Sequence, residues 1–214
     1  MQLSTLWVEM RANAFPIPTM LHANLLKLMQ ITIGIPTNRG LRPKMAQSIL
    51  ELVAHGGYEF HIVVAEEGYT VAENRNYIAV QALNHKSDYL LFVDDDMVFP
   101  PDLLDTLVAD NKNIVGIAYH PRCDTASKLG FLDETHIISL ENTTDPKYKE
   151  TFKCKAVGTG IMLVNVDVFR EIPRPWFQFE YLDTGQCKVG EDWYFCLKAK
   201  EHGIDTWCNP QVKV

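Results

Sequence analysis

The sequence predicts an α/β domain, a mostly parallel sheet flanked by helices, and two observations carry that prediction. Short apolar runs recur at Ile31–Ile35, Ile62–Ala65, Tyr89–Val93, Ile114–Ala118 and Ile161–Val166, each continuous rather than alternating. Continuous runs suit strands buried on both faces, as in a parallel sheet covered by helices. Helical spacing fills the intervals between the first three runs, so the order strand, helix, strand, helix, strand gives a doubly wound arrangement. With 214 residues, the chain is expected to form a single domain, since domains commonly hold ~100–200 residues.

Taken in order, residues 1–30 place Leu21, Leu25, Leu28 and Met29 on one helical face. They read as an N-terminal helical extension that packs on the domain or meets a partner. Pro43 to His55 sets Met45, Ile49, Leu52 and Val53 at i, i+4, i+7 and i+8, and Gly56-Gly57 supplies the stop. A second helix is expected over Ala72–Asn84, and a short third after Pro100-Pro101, where proline suits a helix opening. From Tyr119 to Lys153 the sequence turns polar and loop-like, with Pro121, Gly130 and Pro146. Loops of that length inside a compact domain are usually functional. Residues 156–214 then return to order, with an apolar strand, a Pro173-Arg174-Pro175 break and a helix from Glu191 to His202 ended by Gly203.

Composition narrows the function classes. With 47% hydrophobic and 22% charged residues, the chain does not fit disordered, collagen-like or membrane classes. A net charge of −7 disfavours a general nucleic-acid binder, which needs a basic stripe against phosphates. No apolar run reaches the ~18–20 residues of a membrane span, and the N-terminus lacks the basic start of a secretory signal. Five cysteines without CxxC spacing argue against a zinc site or a disulfide framework and for reduced thiols in a cytoplasmic setting. Asn142-Thr143-Thr144 matches a glycosylation sequon, which has meaning only for a secreted chain.

The chemistry-bearing stretch is YLLFVDDDMVFPPDLL, where the run Tyr89–Val93 ends in Asp94, Asp95 and Asp96. Ligands of open α/β sheets bind beyond the carboxyl ends of the strands, which is where these carboxylates stand. In an extended segment Asp94 and Asp96 point to one side and Asp95 to the other. Like charges this close destabilise the fold unless a cation or hydrogen-bond donors compensate. Mg²⁺ or Mn²⁺ is the natural compensator, because such ions take carboxylate oxygens and keep positions open for phosphate. The bland alternative is a helix cap with solvated neighbours.

A second acidic pair, Glu191 and Asp192, opens the helix after Gly190. Either the helix dipole stabilises it there, or it supplies a general base. In KAVGTGIMLV, Gly158 and Gly160 flank Thr159 at a strand entry, which permits close approach of a ligand or marks a bulge.

Together the ordered segments ITIGIPTNRG, AEEGYTVAENRN, LLFVDDDMVFPPDLL, VGTGIMLVNVDVF and GEDWYFCLKAKEHGI resemble the GT-A glycosyltransferases, particularly the family-2-like branch of bacteria and phages. The resemblance covers residues 31–214 and implies the GT-A, Rossmann-like fold. Residues 31–118 would be its nucleotide-binding half, 119–155 a loop-rich segment and 156–214 the acceptor and catalytic half. It also implies a nucleotide-diphospho-sugar donor, with a UDP-sugar favoured, and a carbohydrate or other hydroxyl acceptor, nucleic acid included.

By the same resemblance Asp94 and Asp96 hold Mn²⁺ or Mg²⁺, and Asp95 touches the ribose or donor sugar. Pro36, Thr37 and Arg39 line the nucleotide. Glu66 stands near the family's base-reading aspartate, and Arg75, paired with Asn76, either faces the diphosphate or makes a surface salt bridge. Gly158, Thr159 and Gly160 lie under the donor sugar. Asp192, beside Glu191, is the catalytic base of an inverting transfer, and Trp176 and Phe177 offer a stacking platform or core packing. The family's metal site is completed by a histidine beyond the last strand. NPQVKV contains none: either the chain is truncated, another residue such as His120 or His202 substitutes, or the metal is weakly held.

Two rival readings remain at this level. Asp94-Asp95-Asp96-Met97-Val98 also fits the nucleophile motif of haloacid-dehalogenase-type phosphatases, with Asp94 as nucleophile, although those enzymes carry it on the first strand of the core. A non-catalytic nucleotide- or glycan-binding homologue is the other.

Overall fold

A computed structural model describes residues 28–119, 128–132, 137–139 and 146–212. The expected extension over 1–30 lies almost wholly outside the described residues, as do Cys123, the sequon at Asn142 and His120. The first half follows the predicted order: β1 (Gln30–Pro36), α1 (Pro43–His55), β2 (Glu59–Ala65), α2 (Val71–Asn84), β3 (Tyr89–Val93), α3 (Leu103–Ala109) and β4 (Ile114–Ile117). The span from 119 to 153, expected as loop, contains β5 (Lys128–Leu132) and β6 (Ile137–Ser139), which pair with each other, and the start of β7 (Phe152–Cys154). Then come β8 (Ile161–Asn165), α4 (Val168–Glu171), the hairpin β9 (Glu180–Tyr181) and β10 (Cys187–Val189), α5 (Glu191–Glu201) and β11 (Thr206–Asn209).

Seven strands form one sheet in the order β2-β1-β3-β8-β4-β11-β7. The pairs β1·β2, β1·β3 and β4·β11 are parallel, whereas β8 runs antiparallel to both β3 and β4, and β7 runs antiparallel to β11. Five strands therefore share one direction and two oppose it, which makes the single-domain sheet mostly parallel. The apolar run at 161–165 is buried like a parallel strand but enters the sheet in the opposite sense, so its amino end lies beside the carboxyl ends of β3 and β4.

Alternation along each strand sends side chains to two separate cores. Leu90 and Phe92 join Ile78 and Ala79 of α2 and Phe195 and Ala199 of α5 on one face. Leu91 and Val93 join Met45 and Leu52 of α1 and Leu104 and Leu107 of α3 on the other. The β2 run departs from the expected double burial, because β2 is an edge strand and leaves Ile62 and Val64 exposed. Trp176 and Phe177 belong to the core, with 2% and 1% exposure. Phe177 meets Phe92 edge-on at 5.2 Å and stacks on Phe195 at 4.7 Å. A stacking platform for an acceptor is thereby excluded for both residues, whose rings are spent on packing worth about 3–5 kcal/mol each by truncation.

Candidate functional site

The site is built where β1, β3 and β4 end and β8 begins. Three consecutive residues near the start of α2 stitch it together. Thr70 caps that helix through a reciprocal capping box with Glu73, which fixes where the first turn lies. Asn74, buried, accepts from Gly68 N at 2.8 Å and reaches Asn38 of the β1 loop at 3.5 Å. Asn76 accepts from Trp176 N and Phe177 N at 3.0 and 3.2 Å and donates to Phe177 O at 2.7 Å. Between them Arg75, 4% exposed, donates to Asp94 Oδ1 at 2.8 Å and to Glu191 Oε1.

Arg75 is neither a surface ion pair nor an open arm awaiting a diphosphate. Its two terminal nitrogens already join the two acidic elements, which are 97 positions apart between Asp94 and Glu191. Burial works against its charge, and the carboxylates of Asp94, Glu191 and Asp192 outweigh that, holding its pKa above the ordinary guanidinium value. Desolvation pushes Glu191 and Asp192 above the usual carboxylate range, with Arg75 pulling both partway back. Asp192 Oδ1 also accepts from Trp193 N at 2.8 Å. No side chain caps α5, so these first-turn carboxylates are what meets its N-terminus.

The aspartate triplet divides among different partners. Asp94 turns toward Arg75, while Asp95 Oδ2 accepts from Thr37 Oγ1 at 2.7 Å and Asp95 O accepts from Arg42 N at 3.2 Å. Asp94 and Asp95 thus face different sides, as strand alternation requires. The alternation stops there: Met97 N donates to Asp94 O at 3.2 Å, closing a turn over Asp95 and Asp96. The extended-backbone argument for placing Asp96 beside Asp94 therefore does not apply beyond Asp94.

Among the remaining expected residues, Pro36 and Thr37 are buried at the end of β1, and Thr37 N donates to Ala65 O at 2.9 Å. Arg39 is exposed in the following loop, its N–H held by Thr37 Oγ1 at 3.1 Å. Glu66 is exposed directly after β2. His202 is not a substitute metal ligand. It sits past the far end of α5 with Nδ1 against Lys198 O, ~16 Å along the helix from Glu191 at 1.5 Å per residue.

The glycines at 158 and 160 have a different reason from the one expected. Their missing side chains leave room for the ring of Tyr119, which follows β4; a Cβ on Gly160 would stand 2.7 Å from Tyr119 Cζ, and one on Gly158 would strike the phenol oxygen. Gly160 N donates to Tyr119 Oη at 3.1 Å, and Gly160 O accepts from Asp94 N at 2.9 Å. Thr159 is 1% exposed, and its hydroxyl has no partner among the described residues. Burial, then the charges of Asp94 and Asp192, push the Tyr119 phenol above its ordinary pKa. Sequence reasoning missed Tyr119, although it stands two positions past a buried strand, much as Asp94 directly follows another.

Among the described residues, no group of three or more His, Cys, Asp or Glu side chains could hold a metal ion by itself. The donors at 94–96 are carboxylates, the hard oxygen ligands that Mg²⁺ and Mn²⁺ take with only one or two protein groups plus substrate phosphates. The residues fit a cation of that kind rather than a closed protein cage. A shallow cleft between Ser87–Tyr89 and Asn165–Arg170 lies at the opposite end of the sheet and shares no residue with this site.

Fold and site together define an α/β protein whose acidic centre lies at the carboxyl end of a mostly parallel sheet. No family model and no curated protein matches the chain. Among solved structures, A197 from STIV is similar with a TM-score of 0.57 at 18% identity, over 86% of this chain and 84% of that one. S. aureus TarS 1-349 gives 0.46 at 15% identity over 86% of this chain and 58% of its own, so this chain spans little more than half of it. A glycosyltransferase involved in glycosylation of the major capsid of PBCV-1 gives 0.38 at 15% identity, over 65% and 62%. At these identities the likeness to A197 shows a shared fold.

Proposed function

We propose that the protein is a glycosyltransferase that moves a sugar from a nucleotide-diphosphate donor, with a UDP-sugar favoured, to an acceptor hydroxyl. The observation that carries this reading is the convergence of Asp94 and Glu191 on the buried guanidinium of Arg75. Two acidic motifs far apart in sequence, each with a bland explanation alone, meet at the ligand-binding end of the sheet. That order of motifs is the one that resembles the GT-A enzymes.

In this mechanism Asp94 and Asp96 hold Mn²⁺ or Mg²⁺. The ion, when bound, neutralises charge developing on the departing diphosphate. Asp192 takes the proton from the acceptor hydroxyl as that oxygen attacks the anomeric carbon, a single displacement that inverts configuration. Burial raises its pKa above the ordinary carboxylate range, the direction that favours taking up a proton. Glu191 and Arg75 position Asp192 by fixing the first turn of α5 against β3. Thr37 holds Asp95, and the β1 loop with Arg39 and the Glu66 loop flank the nucleotide. A phosphatase using Asp94 as nucleophile is disfavoured, because one of its oxygens is bound by Arg75 and the motif lies on the third strand.

A thermal-shift panel of nucleoside diphosphates and nucleotide-sugars, with and without Mn²⁺, tests the donor site, since a ligand that binds only the native state raises its melting temperature. The expected result is a shift of several degrees for one nucleotide series, larger with Mn²⁺, together with Mn²⁺-dependent donor hydrolysis. A flat panel with no turnover would sink the proposal.

A further inference from the structure

We infer that the Tyr119 hydroxyl is a substrate-contacting hydrogen-bond donor of this site, aimed at an oxygen of the donor sugar. This inference rests on the glycosyltransferase reading. It begins from the stoichiometry of a phenol: one hydrogen to donate and lone pairs to accept. The accepting side is accounted for by Gly160 N at 3.1 Å. The donating side has no acceptor among the described residues, yet the ring is only partly exposed and lies over Gly158 and Gly160, in space that any side chain there would fill.

Its surroundings say what kind of acceptor belongs there. The residue that binds the phenol oxygen through its N–H, Gly160, binds Asp94 N through its carbonyl, so a single residue links Tyr119 to the proposed metal ligand. The neighbouring Thr159 hydroxyl is buried and has no partner among the described residues. Two hydroxyls with unmet hydrogen-bonding capacity beside a carboxylate cluster suit an oxygen-rich ligand, because buried polar groups in native proteins are nearly always paired. An apolar ligand would leave both unsatisfied. Phenylalanine at 119 would keep the ring that the two glycines accommodate and remove only the hydroxyl.

The test compares wild type with Tyr119→Phe in the full chain, using the nucleotide-sugar identified by the thermal-shift panel and its nucleoside diphosphate, both with Mn²⁺. Expected are a melting temperature within about 2 °C of wild type, nucleoside diphosphate affinity within about threefold, and a fall in kcat of ~10-fold or more, the scale of one lost donor to developing charge. Tyr119→Leu, which lacks the ring as well, separates packing from hydrogen bonding and is expected to lose melting temperature. Unchanged kcat and KM in Tyr119→Phe would overturn the inference while leaving the glycosyltransferase intact. So would a loss of kcat matched by an equal loss of melting temperature and nucleotide affinity, which marks a structural role. A wild type without nucleotide-sugar binding or turnover overturns both.

Discussion

The two acidic clusters of this protein are held in opposite ways. At the end of β3 the Asp94 side chain keeps 31% of its surface exposed, and its neighbours are shared out among Thr37, Arg42 and a tight turn. At the start of α5 Glu191 keeps 11%, and both it and Asp192 are pushed above the ordinary carboxylate range by burial. Arg75 binds both. The difference fits the two tasks proposed for them: an open cluster suits a cation and phosphates, whereas a desolvated one binds its proton more tightly than an ordinary carboxylate.

The largest expected effect comes from removing the desolvated base. Asp192→Asn keeps the size and the acceptor oxygen that meets Trp193 N, and it takes away only proton transfer. Turnover is expected to fall by roughly 10²–10⁴-fold, the usual range for general-base assistance, while nucleotide-induced thermal shifts persist. If nucleotide binding disappears with turnover, the two clusters are not functionally separate.

Next is the cation that joins them. Arg75→Met matches the bulk of the stem and leaves Asp94 and Glu191 without their shared partner. Removing one member of a buried ion pair costs about 3–5 kcal/mol, to be read from the urea midpoint at pH 7. Arg75→Lys is expected to recover little, since a point charge cannot address two carboxylates through a fixed fork. A Met variant as stable as wild type would mean that the clusters do not depend on this bridge.

How much of this could be read beforehand depends on the range of the interaction that decides it. The strands were legible, because an apolar run such as Tyr89–Val93 is buried wherever it goes. The direction of β8 was not, since Ile161–Asn165 reads the same parallel or antiparallel. Nor was the edge position of β2, which is set by topology and not by the residues Glu59–Ala65 themselves. The hairpin β9·β10 is made of exposed and half-buried residues with no apolar alternation and gave no signal.

At the site, Asp94 and the Glu191-Asp192 pair were found from local context, a strand end and a helix start. The burial of Arg75 and its bond to Glu191 were not legible, because that carboxylate lies 116 positions away. Trp176 and Phe177 were undecidable until Phe92 and Phe195 were seen around them. Tyr119 carries no local signal, because its place is set by Gly160, 41 positions away.

The smallest expected effect, on stability rather than turnover, sharpens the contrast between the clusters through pH. A carboxylate whose pKa is raised on folding binds its proton more tightly in the native state than in the unfolded chain. It therefore adds stability in full below the unfolded value, ~3.9 for aspartate, and that contribution is lost as pH rises through the folded value. Asp192 has this sign, with burial as the leading cause and Arg75 as the leading opposition. Asparagine at 192 cannot ionise, so the stability of Asp192→Asn measured with a chelator present is expected to gain on wild type as pH rises from 4 toward neutrality. The gain must run in that direction, because the wild-type protein alone has to ionise a desolvated group. A difference between the two curves that stays constant with pH, or shrinks as pH rises, would show that Asp192 is not held in the desolvated state that distinguishes its cluster from the one at Asp94.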